Sequence, residues 1–240
     1  MRHRRTSFPE MTFSRPLGRV APALGMALMS ACGPRQPTVL EPIPDARVSA
    51  RTLEQETRLE GPLRIVFGWQ LNEAGSRVSG RGVARVEPPY KARLDLFLSN
   101  GEGVISAALV EGELRLPPGA PEDVLPPADL MWGALGVFRP EDHMQLVGGD
   151  RLEGEALRLR YRYGDGSELH YQAANGSLRS LELVRDGHVV QRVEVAPSDG
   201  TGYPVEATYR NMAAFRELKL TRESLQRVAP YPSGIWDPVG

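Results

Sequence analysis

From Leu63 onward the apolar residues return at every second position, and no other feature of the chain restricts its fold so tightly. Leu63, Ile65, Phe67, Trp69 and Leu71 alternate with Arg64, Val66, Gly68 and Gln70. A pleated strand points successive side chains to opposite faces, so the pattern is that of a strand with one dry and one wet face. It returns in Leu94, Leu96 and Leu98 against Arg93, Asp95 and Phe97. It is clearest in Leu157, Leu159, Tyr161 and Tyr163 against Arg158, Arg160 and Arg162. Leu181 and Leu183, then Val193 and Val195, then Val205, Ala207 and Tyr209, then Leu218 and Leu220 carry it on. Asn100-Gly101, Asn175-Gly176 and Asp186-Gly187 are hairpin turns, because Asn, Asp and Gly tolerate the positive φ that such turns need. About ten or eleven strands joined mostly by hairpins predict one large antiparallel meander. A sheet of that size curls or closes to limit its open edges. The expected fold is mainly β (α+β), with a curved sheet forming an open half-barrel.

One segment breaks the alternation. After a Pro-rich loop, Leu130, Met131, Trp132, Leu135, Val137 and Phe138 leave almost no polar face, with Pro127 placed to start a helix and Pro140 to stop it. A helix apolar nearly all round is buried or inserted in a membrane. This one, over Leu130 to Phe138, is too short to span, and the mouth of the curled sheet would bury it. A second, short helix is expected over Ala46 to Glu60, with Asp45 as its cap.

The N-terminus carries a different signal. Arg2, Arg4, Arg5, Arg15 and Arg19 precede an uncharged run, Val20 to Ala31, which ends in small residues before Cys32, the chain's only cysteine. That is the pattern of a secretory signal over residues 1–31. It resembles the bacterial lipobox, in which the cysteine after the cut receives lipid, although Met29 stands where that pattern usually has Leu. The resemblance implies lipid attachment at Cys32. Residues 32–45, with Pro34, Pro37, Pro42 and Pro44, then read as an extended tether rising about 3.1 Å per residue. Gly33 after the cysteine, by the sorting rule of enteric bacteria, implies the outer membrane, with the domain facing the periplasm.

Without residues 1–31 the chain keeps 24 basic and 29 acidic side chains. A net charge of that sign argues against nucleic acid as a partner and against binding anionic bilayers by charge alone. Beyond Cys32 no thiol remains for an internal disulfide. His143, His170 and His188 lack metal-ligand spacing, and there is no nucleophile elbow, phosphate loop or dinucleotide fingerprint. The expectation is a protein with no metal, no cofactor and no catalytic residue.

Taken together, Leu63 to Leu71, the strand Gly80-Arg81-Gly82-Val83-Ala84-Arg85-Val86, Lys91 to Leu98, Gly103 to Leu109 and the helix at Leu130 to Phe138 resemble the LolA/LolB superfamily of bacterial lipoprotein carriers and acceptors. The resemblance covers residues 46–222, leaving 223–240 as a Pro-rich tail with Trp236. It implies that the space between sheet and helix binds a lipid or lipoprotein acyl chain. Phe67, Trp69, Leu94, Leu96, Leu98, Leu130, Trp132, Leu135, Phe138, Tyr161 and Tyr163 would line it. The same aromatics serve equally as a filled core. The alternative reading is therefore a non-enzymatic accessory or scaffold lipoprotein that meets a protein partner in an envelope assembly. One departure is the turn Ser99-Asn100-Gly101-Glu102-Gly103, short and polar where LolB carries an exposed apolar residue. For the arginine that gates the LolA cavity, Arg81 and Arg85 are candidates by location.

Overall fold

The computed structural model describes residues 37–120 and 125–238. The signal segment and Cys32 lie outside the described residues. The chain runs β1 (Val39–Pro42), α1 (Ala46–Glu56), β2 (Leu63–Glu73), β3 (Ser76–Glu87), β4 (Lys91–Leu98), β5 (Gly103–Val110), β6 (Glu113–Arg115) and α2 (Ala128–Ala134). It continues with β7 (Gln145–Leu152), β8 (Ala156–Arg162), β9 (Glu168–Ala174), β10 (Ser177–Arg185), β11 (His188–Val195), β12 (Glu206–Asn211) and β13 (Arg216–Arg227). Among the described residues, no helix is long and apolar enough to cross a membrane.

All thirteen strands form one sheet, in the order β1-β7-β8-β9-β10-β11-β12-β13-β2-β3-β4-β5-β6, with β1 and β6 as its open edges. Two hairpin-built meanders, β2 to β6 and β7 to β13, are thus joined by the antiparallel pair β13–β2, which runs from Arg216↔Glu73 to Arg227↔Leu63. The strand count exceeds the ten or eleven expected, because β1 and β6 are too short to show a period. The tether expected through Asp45 is sheet-bound from Val39, where β1 pairs with β7. The strand β13 also runs five residues past the 222 boundary read from the pattern, to Arg227.

Alternation sets the core. Leu63, Ile65, Phe67 and Trp69 of β2 are buried, as are Leu159 and Tyr161, Leu169 and Tyr171, Leu181 and Leu183, and Val193 and Val195. The rings of Phe67 and Trp69 need room on the neighbouring strand, and β3 supplies it with glycines. A Cβ on Gly82 would stand 2.4 Å from Phe67 Cζ, and one on Gly80 would stand 1.9 Å from the Phe97 carbonyl oxygen. Trp69 crosses β3 there and its Nε1 donates to the carbonyls of Arg81 at 3.0 Å and Phe97 at 3.2 Å.

Both helices end earlier than the sequence suggests. Asp45 does cap α1, accepting from the backbone N–H of Arg47 and Val48. Thr57 stops it: its N–H and its hydroxyl both donate to Leu53 O, at 3.0 and 2.9 Å. In α2, Leu135 closes the last turn and Gly136 (φ +79°) turns the chain away, so Val137 and Phe138 follow outside the helix and are buried there. The Pro-rich tail folds back on the sheet's outer face. Trp236 is buried edge-on to Tyr231, and Arg93 Nη1 donates to Ile235 O at 2.9 Å.

Candidate functional site

The plug α2 has two different flanks. On one it packs against β10 and β11, so closely that a Cβ on Gly133 would come within 2.5 Å of Leu181 Cδ1. On the other it borders an apolar cleft with two lobes that share Ala84, Leu94, Ala134, Leu135, Ala207 and Leu220 as walls. Phe67 and Arg222 extend the first lobe, and Met131 and Tyr209 the second. The lobes hold cavities of ≈ 60 and ≈ 50 Å³, whereas roughly 150 Å³ is needed for benzene. A chain of methylenes therefore enters only if α2 or a neighbouring loop moves.

Of the residues predicted to line the space, Phe67, Leu94 and Leu135 line this cleft. Trp69, Leu96 and Leu130 are buried in the core, and Leu98 packs against it. Trp132, Phe138 and Tyr161 instead take part in two edge-on aromatic groups. Phe138 lies edge-on to Tyr171 at 4.7 Å and to Tyr161 at 6.0 Å, while Trp132 lies edge-on to Tyr90 at 5.8 Å. Tyr163 is a latch, not a wall: its hydroxyl donates to Asp129 Oδ2 in the first turn of α2.

Both members of that latch are shifted by burial. Burial pushes the Asp129 carboxyl up to about 6; Glu141 beside it adds to the rise, and the Tyr163 hydroxyl and His143 act against it. Burial and the Asp129 charge in turn raise Tyr163 far above an ordinary phenol. His143 faces Glu141 at 3.5 Å and the Tyr163 ring at 5.8 Å. Beyond the helix the chain is gripped again. Phe138 N–H donates to Thr57 Oγ1 at 3.0 Å, and the Arg139 guanidinium sits 4.3 Å above the Tyr90 ring.

The two arginines considered for a gate are on the wrong face. Arg81 is largely exposed and pairs with Glu223, and Arg85 pairs with Asp95. Odd positions of β3 point outward, since Ala84 and Val86 are the buried ones. Arg222 lines the first lobe of the cleft and Arg93 the second, and sequence reasoning alone misses both. The turn Ser99 to Gly103 is indeed exposed and polar, but the β12–β13 turn carries Phe215 at 83% exposure. The Met-Ala-Ala-Phe run between Asn211 and Arg216 is its signal in the sequence.

By sequence the chain matches no protein-family model and no curated protein. Solved structures do match. A LolA superfamily protein from Nitrosomonas europaea is similar with a TM-score of 0.54 and 10% identity, over 78% of this chain and 96% of that one. A DUF1329 family protein from Desulfovibrio piger is similar with a TM-score of 0.50 and 8% identity, over 80% of this chain and 97% of that one. At such identities the likeness is one of architecture, and the architecture, one open antiparallel sheet curled over a short apolar helix, is the LolA-like fold.

Proposed function

We propose that this chain is a lipid-anchored protein of the outer membrane, facing the periplasm, that carries a lipid or lipoprotein acyl chain between α2 and the sheet, without catalysis. The observation that carries the reading is the apolar cleft along one flank of a short plug helix. The LolA-like fold supports it, and so does the lipobox-like run that ends at Cys32. Transfer of a chain of 14 to 16 carbons from water is worth on the order of 10 kcal/mol before ordering costs, at about 0.8 kcal/mol per methylene. Part of that gain would be spent on shifting α2.

A second reading has one observation in its favour. The cavities are small and the aromatic cluster around Phe138 is closely packed, which suits a filled scaffold that meets a protein partner. Solvent extraction of the purified protein followed by mass spectrometry separates the two. The carrier reading expects co-purified acyl lipid, or saturable binding of added palmitate. Neither lipid nor binding would leave the scaffold reading in its place.

A further inference from the structure

Along β13 the inward row is Arg216, Leu218, Leu220 and Arg222. The period of two thus aims a guanidinium at the same concave face as two leucines, opposite Phe67 in the register with β2. The Arg222 side chain is only 8% exposed, and it shares the wall of the cleft with Phe67, Leu94, Leu135 and Leu220. A buried guanidinium needs an anionic partner with matching hydrogen bonds. The loop between β11 and β12 provides one. Arg222 Nη2 meets Asp199 Oδ1 at 2.6 Å, and Nη1 donates to Thr201 Oγ1 at 2.8 Å and to Tyr203 O at 3.3 Å.

This clasp is built to be exchanged. Asp199 is 53% exposed, so one side of the ion pair already faces water. Gly200 and Gly202 give the loop two left-handed joints, at φ +94° and +83°. At its end Pro204 rests on Gly136, where a Cβ would meet Pro204 Cδ at 2.7 Å. Gly136 is the residue that turns the chain out of α2, so the loop that holds Arg222 also leans on the end of the plug.

We propose that Arg222 is the headgroup receptor of the cleft. Its ligand would be an acyl compound with an anionic oxygen head, carboxylate or phosphate, which takes Arg222 over from Asp199 while the chain lies along Phe67, Leu94 and Leu135. This rests on the acyl-chain reading and narrows it. Asp199 then stands in for the ligand head when the cleft is closed. The Arg222 guanidinium and the Thr201 hydroxyl lower its carboxyl to about 2, so it is a charged stand-in at any physiological pH. Exchange of one carboxylate for another keeps the buried charge paired throughout, whereas a neutral head has nothing to offer Arg222. Release of the loop frees Pro204 from Gly136, which couples arrival of the head to movement of the plug.

The test is displacement of the neutral apolar probe 1-aminoanthracene from the purified protein by palmitate, palmitoyl lysophosphatidate and neutral monopalmitin. A charge-assisted hydrogen bond is strong enough that one or both anionic lipids should compete at least about tenfold better than monopalmitin. Which of them does so identifies carboxylate or phosphate as the head. Arg222→Gln should erase the preference, so that the anionic lipids compete no better than monopalmitin with the same variant. Asp199→Asn, on an exposed loop, should widen the advantage of the anionic lipids over monopalmitin several-fold by removing their competitor. Arg222→Lys, which keeps the charge but not the fork, should retain a reduced preference. Equal competition by all three lipids, or a preference that survives Arg222→Gln, overturns the headgroup assignment while the acyl-chain reading stands. No displacement by any of them overturns both.

Discussion

Replacement of Asp129 by asparagine isolates the electrostatic cost of anchoring the plug. Ionised Asp129 is buried against Glu141 at the start of α2, and its carboxyl titrates near 6 instead of 3.8. At about 1.4 kcal/mol per pH unit, ionisation in the folded state costs about 3 kcal/mol more than in the unfolded chain. The sign follows from proton counting. Below the unfolded value both states hold the proton, and the folded protein has its full stability. As pH rises from about 4 to 6 the unfolded chain releases its proton first, so stability falls, and above about 6 the loss is complete. The amide in Asp129→Asn carries no charge and still offers a carbonyl to the Tyr163 hydroxyl.

The measurable quantity is the difference in unfolding free energy between variant and parent, from urea titrations at a series of pH values. That difference should be small at pH 3.5 and should grow in favour of the Asp129→Asn variant to about 3 kcal/mol by pH 7.5. Carboxylates remote from Asp129 cancel in the comparison, since both proteins carry them in the same surroundings. A difference that stays constant between pH 4 and 7 would refute the assignment of a raised carboxyl to Asp129.

Two further outcomes follow from packing. Gly133→Ala sets a methyl within 2.5 Å of Leu181 and should cost about 1–3 kcal/mol of urea stability, with increased binding of an apolar dye as α2 lifts from β10. Phe215→Gly removes a bulky residue from φ +50° at an exposed turn; relief of about 1 kcal/mol should raise the melting temperature by roughly 2–4 °C.

The strands are legible because the sheet has one dry face, which writes itself into every second residue. The hairpins at Asn175-Gly176 and Asp186-Gly187 are legible for a local reason, and all four residues have positive φ. What escapes depends on partners remote in sequence. The strand β1 is four residues flanked by prolines, and only its pairing with β7 makes it a strand. Residues Val137 and Phe138 continue an apolar run, so nothing in the pattern marks the turn at Gly136. Arg222 is the most instructive case. Following Leu218 and Leu220 it looks like the end of an inward row, and the pattern places the domain boundary there. It is in fact the next inward residue, tolerated because Asp199 and Thr201, well upstream in the β11–β12 loop, supply its counter-charge and a hydrogen-bond acceptor.

The plug itself is poorly secured for so buried an element. Seven residues are too few to hold a helix alone, so its helicity comes from the packing around it. Among the described residues its first turn has no side-chain cap and the buried Trp132 Nε1 has no hydrogen-bond partner, and Asp129 is costly once ionised. Against these stand the closely fitted flank on β10 and β11, the Phe138–Thr57 hydrogen bond and the Arg139–Tyr90 stack. All of these lie on the side away from the cleft or beyond the helix end. An acyl chain that displaced Leu135 from the cleft would exchange one oily contact for another and leave that grip intact. On the carrier reading α2 would have to move about this flank, because cavities of ≈ 60 and ≈ 50 Å³ hold no acyl chain as they stand.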